Sequence, residues 1–556
     1  MNTRHKDREK CVAFIVARLS SSRLPAKHFL KIGPKPLIDW IVEELRRCTQ
    51  VDQIVLATVA EPENRPLREW ASQKGIPCYW YEGDVNHVTT RLRQAAESTG
   101  ADICVLVSGD CPLIYAPAID CLIRELRHHP AADIISVRNS HSHKHQQIQG
   151  IGVVRKRAWQ LADDLSTLPE LKEHHFPVID QRPDLFERHE CKLPDETYAS
   201  MEHRLSVDTW ADMEFMNALY QATAEAGRNF SLPDALRTME ERPNLMRINA
   251  HVHQMGVGEK RQKVLMIVDA GNGYGYGHLM RSRELALQIT ERLGWQVTFM
   301  VDDKRAVDLL ASVGIRSIRA VSEHDTAYMQ PFNLIILDRF SRHQPGPGWR
   351  DRLPQDSRVV VLDSLKDWAR EADLIVIPGV THDESSRFDT WKGPEVLEGI
   401  DYVILRREIR RLQNEAAHKT LDMLAYLHLP EQKAAVAKIG EEKGYRLHVI
   451  QGYEPAFPEL LASSRIFLSG FGYSFYEALA LDAFPATWPM SDIHRTDAKR
   501  FYHRLGLAPC IVDDIHDIDK VIRSKRHGLK LGLDIEDGTP RIIHSMVSLF
   551  LPERRP

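Results

Sequence analysis

Residues 263–282 read KVLMIVDAGNGYGYGHLMRS. The apolar run KVLMIVDA has the length of a buried strand, and Gly271, Gly273, Gly275 and Gly277 crowd the turn that follows. A glycine-rich turn between a strand and a helix usually holds phosphate, because backbone N–H groups and a helix N-terminus aim at one spot. This turn lies near the middle of a 556-residue chain, which implies a second α/β domain beginning at residue 263.

Downstream the pattern continues. Leu285, Ile289 and Leu293 lie four apart and share a helix face, and QVTFMVDD, NLIILD, RVVVLD and DLIVIP follow as short buried strands. The signal weakens after about residue 410, then returns as RLHVI, RIFLSG and a helix from about Gly472 to Leu481. Upstream, an independent series begins with CVAFIVA (11–17), the helix PLIDWIVEELRRC (36–48), QIVLAT, the helix PLREWASQKG and DICVLVSGD (102–110). Buried strands alternating with amphipathic helices imply a mostly parallel sheet covered on both faces. The polar stretch around residues 246–262 has no clear period and marks the boundary. The expected domains are therefore 1–250, a linker at 251–262, and two lobes at 263–410 and 411–556.

The totals narrow the function classes. Hydrophobic residues make up 43%, charged residues 27% and the net charge is −4, which gives no basic footprint for nucleic acid. The polar, charged N-terminus MNTRHKDREK lacks a signal-peptide core, and no apolar run approaches the roughly 18 residues of a membrane helix. Seven of the 8 cysteines precede residue 192, none in a CxxC pair, so reduced thiols in a cytoplasmic enzyme are expected.

A redox dinucleotide is a poor ligand for the central glycine turn. The third small residue of G-x-G-x-x-G falls on His278 or Met280, although Asp302 or Asp303 could supply the acid after the second strand. His278 sits where the helix should begin, with Arg281 one turn later. The helix dipole there disfavours imidazolium, and a neutral imidazole can act as general base toward water. Capping or packing is the competing role for His278.

In the first half, RLSSSRLPAK follows the first strand and places Arg18, Arg23 and Lys27 within ten residues. Loops at strand C-termini form the ligand crevice of an α/β sheet, and cations there suit a polyanion. Spacing alone leaves a solvated charged loop equally open. VLVSGD ends at Asp110 and RLSVD at Asp208; two carboxylates at strand ends can converge on a hard cation such as Mg2+, while each alone reads as a cap or turn residue. HSHKH (141–145) alternates its histidines in a loop that does not fix ligand geometry, so a mobile loop is expected rather than a metal site.

IVARLSSSRLPAKHFLKIGPKPLIDWIVEEL resembles the opening of the sugar-acid cytidylyltransferases of the spore-coat and nonulosonate type, and SGDCPLI, KEHHFPVI and RLSVDTWADME follow in that family's order over roughly residues 10–220. Val16, Pro34-Lys35 and Asn86 depart from its pattern. The resemblance implies a Rossmann-like (glycosyltransferase-A-like) nucleotidyltransferase domain in which Arg18, Arg23 and Lys27 hold CTP. It also implies Mg2+ on Asp110 and Asp208, with Glu173, His174 and Arg204 near the acceptor sugar acid. The reaction would be in-line attack of a sugar hydroxyl on the α-phosphorus of CTP, with Arg18 and Lys27 stabilising the developing charge.

DAGNGYGYGHLMRSRELALQI is similar to the opening of the UDP-sugar hydrolases of pseudaminic acid biosynthesis, and LDRFSR, LEGIDYVILRREI and LSGFGYSFYEALALDAFPATW continue in order to about residue 510. This implies a two-lobed glycosyltransferase-B-like half in which His278 is catalytic and Arg281 contacts the nucleotide-sugar substrate. Gly275, Gly277, Gly470, Gly472, Ser474 and Glu477 would grip the nucleotide, the Glu477 carboxylate reaching the ribose. The family's glycine-rich turn is missing: no glycine occurs between Gly399 and Gly440. Asp497 also stands where a neutral side chain would suit an anion better. Weak nucleotide affinity, or a ligand other than a UDP-sugar, is therefore expected. The whole reads as a bifunctional enzyme of nonulosonic-acid biosynthesis, with a glycosyltransferase or a degenerate binding module as rival readings of the second half, and with a homodimer left open.

Overall fold

The structure is a computed structural model. It describes all residues except 1–7, 22, 139–144, 147–149, 167–171, 173–176, 194–202, 254–260, 272–275, 320–331, 340–347, 381–392, 414, 416–417, 453, 526–534 and 551–556. Two compact units emerge, residues 1–261 with 291–294, and residues 262–290 with 295–556.

The first unit has β1 (Cys11–Val16), β2 (Lys31–Ile32), β3 (Lys35–Pro36), β4 (Gln53–Val59), β5 (Cys78–Tyr81), β6 (Ile103–Ser108), β7 (Ile134–Arg138), β8 (His145–Gln146), β9 (Ile151–Arg155) and β10 (Arg188–Cys191). Its main sheet runs β10-β7-β9-β6-β1-β4-β5, with β8 beside β7. β1 is parallel to both β4 and β6, and its residues Cys11–Ile15 are buried, as a strand covered on two faces must be. Phe14 meets Trp159 edge to face at 5.7 Å, joining the strand to the helix Lys156–Leu165. The sheet is more mixed than expected, since β9 pairs antiparallel with both β6 and β7.

The chain leaves β1 toward β4 on one side, while β6 flanks it on the other. That order reversal is a topological switch point, where the loops after β1 and β6 face one crevice. One expectation fails here. Residues 204–208 form no strand; a backbone hydrogen bond from Val207 N–H to the Asp110 carbonyl, at 2.9 Å, brings Asp208 alongside.

The second unit opens with β11 (Lys263–Val268), β12 (Gln296–Val301), β13 (Arg316–Arg319), β14 (Leu334–Asp338), β15 (Arg358–Leu362), β16 (Leu374–Ile377) and β17 (Glu395–Glu398). All pairs are parallel, in the order β13-β12-β11-β14-β15-β16-β17, with a switch point between β11 and β14. A second sheet, β18 (Leu421–Tyr426), β19 (Leu447–Val449), β20 (Ser464–Ser469) and β21 (Phe484–Thr487), runs β19-β18-β20-β21, also parallel. The stretch after residue 410 is thus regular: β18 is followed by the helix Pro430–Lys443, which Pro430 starts at its first turn. The observed class is the expected one, α/β, with one mostly parallel sheet in the first unit and two parallel, doubly wound sheets in the second. Among the described residues, no helix is long and apolar enough to cross a membrane.

Candidate functional site

In the first unit, the loop after β1 turns back through Ala26, which holds a left-handed φ of 53°, and sends Lys27 inward. A non-glycine residue there stores strain, and such strain concentrates at functional sites. Lys27 Nζ donates to Asp110 Oδ2 at 2.7 Å and to Asp208 Oδ1 at 2.8 Å. Burial opposes the ammonium charge, but Asp110 and Asp208 together hold its pKa above the ordinary lysine range. Arg23 reaches Asp208 at 3.2 Å, and Arg204 pairs with Asp208 and, at 3.1 Å, with Asp212. Burial also opposes the Asp208 charge, yet Lys27, Arg23 and Arg204 keep that carboxyl well below its usual range.

Asp212 anchors the far side of this cluster. It completes a capping box with Thr209 on the helix Trp210–Glu225 and accepts from the Asp208 N–H at 2.9 Å, so the backbone that carries Asp208 is fixed. Arg18 lies beside Asn86, 3.3 Å away. The structure thus brings Arg23, Lys27, Asp110, Arg204 and Asp208 together. Glu173, His174 and the 141–144 part of the histidine loop lie outside the described residues.

Two residues escaped the sequence reading. His28 is buried, its Nδ1 2.7 Å from the Gly109 carbonyl and its Nε2 3.1 Å from the Arg18 carbonyl. Burial and the neighbouring Lys27 charge push its pKa down to about 4, which favours the neutral ring over the doubly protonated one that two carbonyl partners would suit. The shorter contact assigns the neutral ring's one N–H to Nδ1, which ties the β1 loop to the end of β6. Gly109 itself admits no side chain, since a Cβ there would lie 2.6 Å from the Val16 carbonyl oxygen. Arg91, on the helix Val88–Thr99, is 1% exposed, and its Nε and Nη1 have no partner among the described residues. Burial and the Arg18 charge lower its pKa to about 10. Buried guanidinium N–H groups left without acceptors are costly unless a ligand supplies them. The signal for both was weak: a histidine beside a lysine, and one arginine among apolar helix positions.

In the second unit, His278 is the second residue of the helix Gly277–Leu293. Its Nδ1 lies 2.6 Å from Asp338 Oδ1 at the end of β14. Arg281 Nη2 also approaches Nδ1 at 3.0 Å, but the shorter contact to a carboxylate makes Nδ1–H the donor and leaves Nε2 as the basic nitrogen. Arg281 donates twice to Asp338, at 3.0 and 2.6 Å, and to Asp363 at 2.8 Å; Ser282 Oγ adds a contact to Asp338 at 2.6 Å. Burial opposes the Asp338 charge, while Arg281 and His278 hold its pKa well below the carboxylate range. Asp303 caps the helix Lys304–Ala311 through the Ala306 N–H at 2.8 Å and leaves no Cβ room at Gly271, an occupation that counts further against a redox dinucleotide.

Gly277 is exposed at the helix start, and Gly275 lies outside the described residues. Gly470 and Gly472 flank Phe471, whose φ is 93°, and Ser474 begins the helix Ser474–Ala480. Glu477 is buried rather than exposed, and Arg406 holds its two oxygens at 2.5 and 2.7 Å. Tyr473 joins the lobes: its hydroxyl accepts from the Ile404 N–H at 2.6 Å, and its ring lies under Arg281.

Residues 12–229 match the family model described as cytidylyltransferase. The chain is 36% identical over 100 residues to the 3-deoxy-manno-octulosonate cytidylyltransferase of Acidobacterium capsulatum, a stretch covering 18% of this chain and 39% of that one. It is 24% identical over 224 residues to the spore coat polysaccharide biosynthesis protein SpsF of Bacillus subtilis, covering 38% of this chain and 88% of that protein. The structure of a cytidylyltransferase from Leptospira borgpetersenii matches with a TM-score of 0.38 and 23% identity, covering 43% of this chain and 97% of that one. Over residues 12–229 the chain is thus similar to cytidylyltransferases, which supports nucleotidyltransferase activity in its first half.

Proposed function

We propose that the first unit activates a 3-deoxy-2-keto sugar acid to its CMP derivative at the expense of CTP. The observation that carries this is the meeting of Lys27, Arg23 and Arg204 with Asp110 and Asp208 at the switch point between β1 and β6. The two carboxylates direct oxygens at one point, which Lys27 Nζ holds, and an all-oxygen donor set there fits Mg2+. When bound, that ion would neutralise phosphate charge and polarise the α-phosphoryl group. Lys27, Arg23 and Arg18 would bind the triphosphate and stabilise the pyrophosphate that leaves. Arg204 would orient the incoming acid through its carboxylate, a match of planar forks. Mass spectrometry of products from CTP and a panel of 3-deoxy-2-keto acids tests the assignment; a CMP-linked acid is the expected product, and CTP left intact with every acid contradicts it.

For the second unit we favour hydrolysis of a nucleotide-activated amino sugar. The His278–Asp338 contact supports it, since a carboxylate that fixes the imidazole tautomer leaves Nε2 to take a proton from water. Transfer to an acceptor would use the same base, and omission of acceptor from the assay separates the two.

A further inference from the structure

The helix Ala116–His128 and the edge strand β10 place a second set of metal-ligating side chains at the border of the first sheet. Cys121, Glu125 and His129 follow one another at intervals of four, so they form one stripe along the helix and its C-cap. His189 and Cys191 lie two apart on β10 and share a strand face. The stripe and the strand face meet in register: Cys121 Sγ lies 3.9 Å from Cys191 Sγ, and a turn further on His129 stacks on His189 with ring centroids 3.5 Å apart.

Glu125, His129 and His189 each offer a ligand atom, and these atoms lie within 4.8 Å of one another, in the one such group found among the described residues. His129 Nε2 is 3.8 Å from Glu125 Oε2, too far for a hydrogen bond. Ligands at about 2.0–2.2 Å on one tetrahedral ion stand about 3.3–3.6 Å apart, and binding would turn one of the stacked rings so that both nitrogens face the ion. Backbone positions on a helix and a hydrogen-bonded strand are fixed, unlike those of an alternating loop. We propose that Glu125, His129 and His189 bind a divalent d10 cation of the Zn2+ type. Two imidazoles and one carboxylate suit such an ion, whereas Mg2+ prefers oxygen throughout. Three protein ligands leave a fourth position to water. The ion would clamp β10, an edge strand, to the helix that covers it.

The site is separate from the polyphosphate centre. His189 pairs with Ile135, Ile135 with Val153 and Val153 with Val105, so it stands three strands across and five residues back from Asp110. Strand spacing and rise put that at about 20 Å. Metal binding there is therefore independent of the nucleotide chemistry.

The test is a Zn2+ titration of the full chain, stripped of metal, against a chromophoric chelator. The His129→Ala/His189→Ala variant is expected to bind one equivalent fewer than the parent chain, and Glu125→Gln to hold that equivalent more weakly. Asp110→Asn and a His141→Ala/His143→Ala/His145→Ala variant should keep it. Co2+ in place of Zn2+ should give visible bands in the parent chain that the double variant lacks. A melting curve for each variant checks folding, and His189→Asn alone serves if the double variant unfolds. Equal stoichiometry and affinity in the parent and the His129/His189 variants, or loss of the equivalent only with the 141–145 variant, would overturn the proposal.

Discussion

Arg91 is the residue whose environment makes the least sense without a ligand. Its buried Nε and Nη1 have no acceptor among the described residues, and Arg18 is close enough to lower its pKa. Arg91→Met keeps the length and removes the charge. The expected outcome is a melting temperature equal to or above that of the parent chain, with KM for CTP raised at least about tenfold, the loss of roughly one charge-assisted hydrogen bond. Lost stability with unchanged KM would mean that Arg91 is only packing. His28 offers a pH test of the same pocket. Its folded pKa, about 4, lies under the ordinary 6.5, so the unfolded chain takes up the proton first as pH falls. Its contribution is therefore complete above pH 6.5 and is lost as pH falls through about 4, on the order of 3 kcal/mol across that window. His28→Gln keeps one N–H for the Gly109 carbonyl and does not titrate. Melting temperatures at pH 7.5 and 5 should fall further apart in the parent chain than in the variant; equal differences would contradict a buried neutral ring.

The switch points are the elements that organise both candidate sites, and they were largely legible. The apolar runs at 11–17 and 263–270 are buried on both faces, so their composition alone betrays them, and each leads into a loop of turn-forming residues. What could not be read was the partner of each charge. Glu477 looks like a helix-surface acid in sequence, because nothing local announces Arg406, 71 residues away, as its bidentate partner. Asp208 reads as a strand end in sequence, yet it is aligned by the Val207 N–H bond to the Asp110 carbonyl and by Asp212. β18 and the helix after it were obscured because the turn between them, residues 427–429, has no glycine signal and starts its helix with Pro430 instead. At the β11/β14 switch point, Asp338→Asn should leave Arg281 facing Asp363 alone. Breaking one side of a buried charge network costs about 3–5 kcal/mol. The second unit should melt earlier while CTP turnover in the first stays unchanged; an unaltered melting profile would show that the network is not holding β14 to the helix that carries His278.

Across the whole molecule, the two units have separate sheets and separate cores, and each carries its own candidate site. Residues 1–261 and 262–556 expressed apart are therefore expected to fold, the first keeping CTP turnover and the second its dependence on His278. Aggregation of residues 1–261 beside a soluble full chain would contradict that independence. The central claim is that Asp110, Asp208 and Lys27 form one phosphoryl-transfer centre in the first unit. Its most direct test is pyrophosphate release from CTP and a 3-deoxy-2-keto sugar acid, measured in the full chain alongside Asp208→Asn and His278→Ala. The account predicts release that needs both the acid and a divalent cation, that falls at least about 100-fold in Asp208→Asn through loss of preorganised charge, and that is untouched in His278→Ala. Undiminished release in Asp208→Asn, or release that persists in chelator, would contradict it.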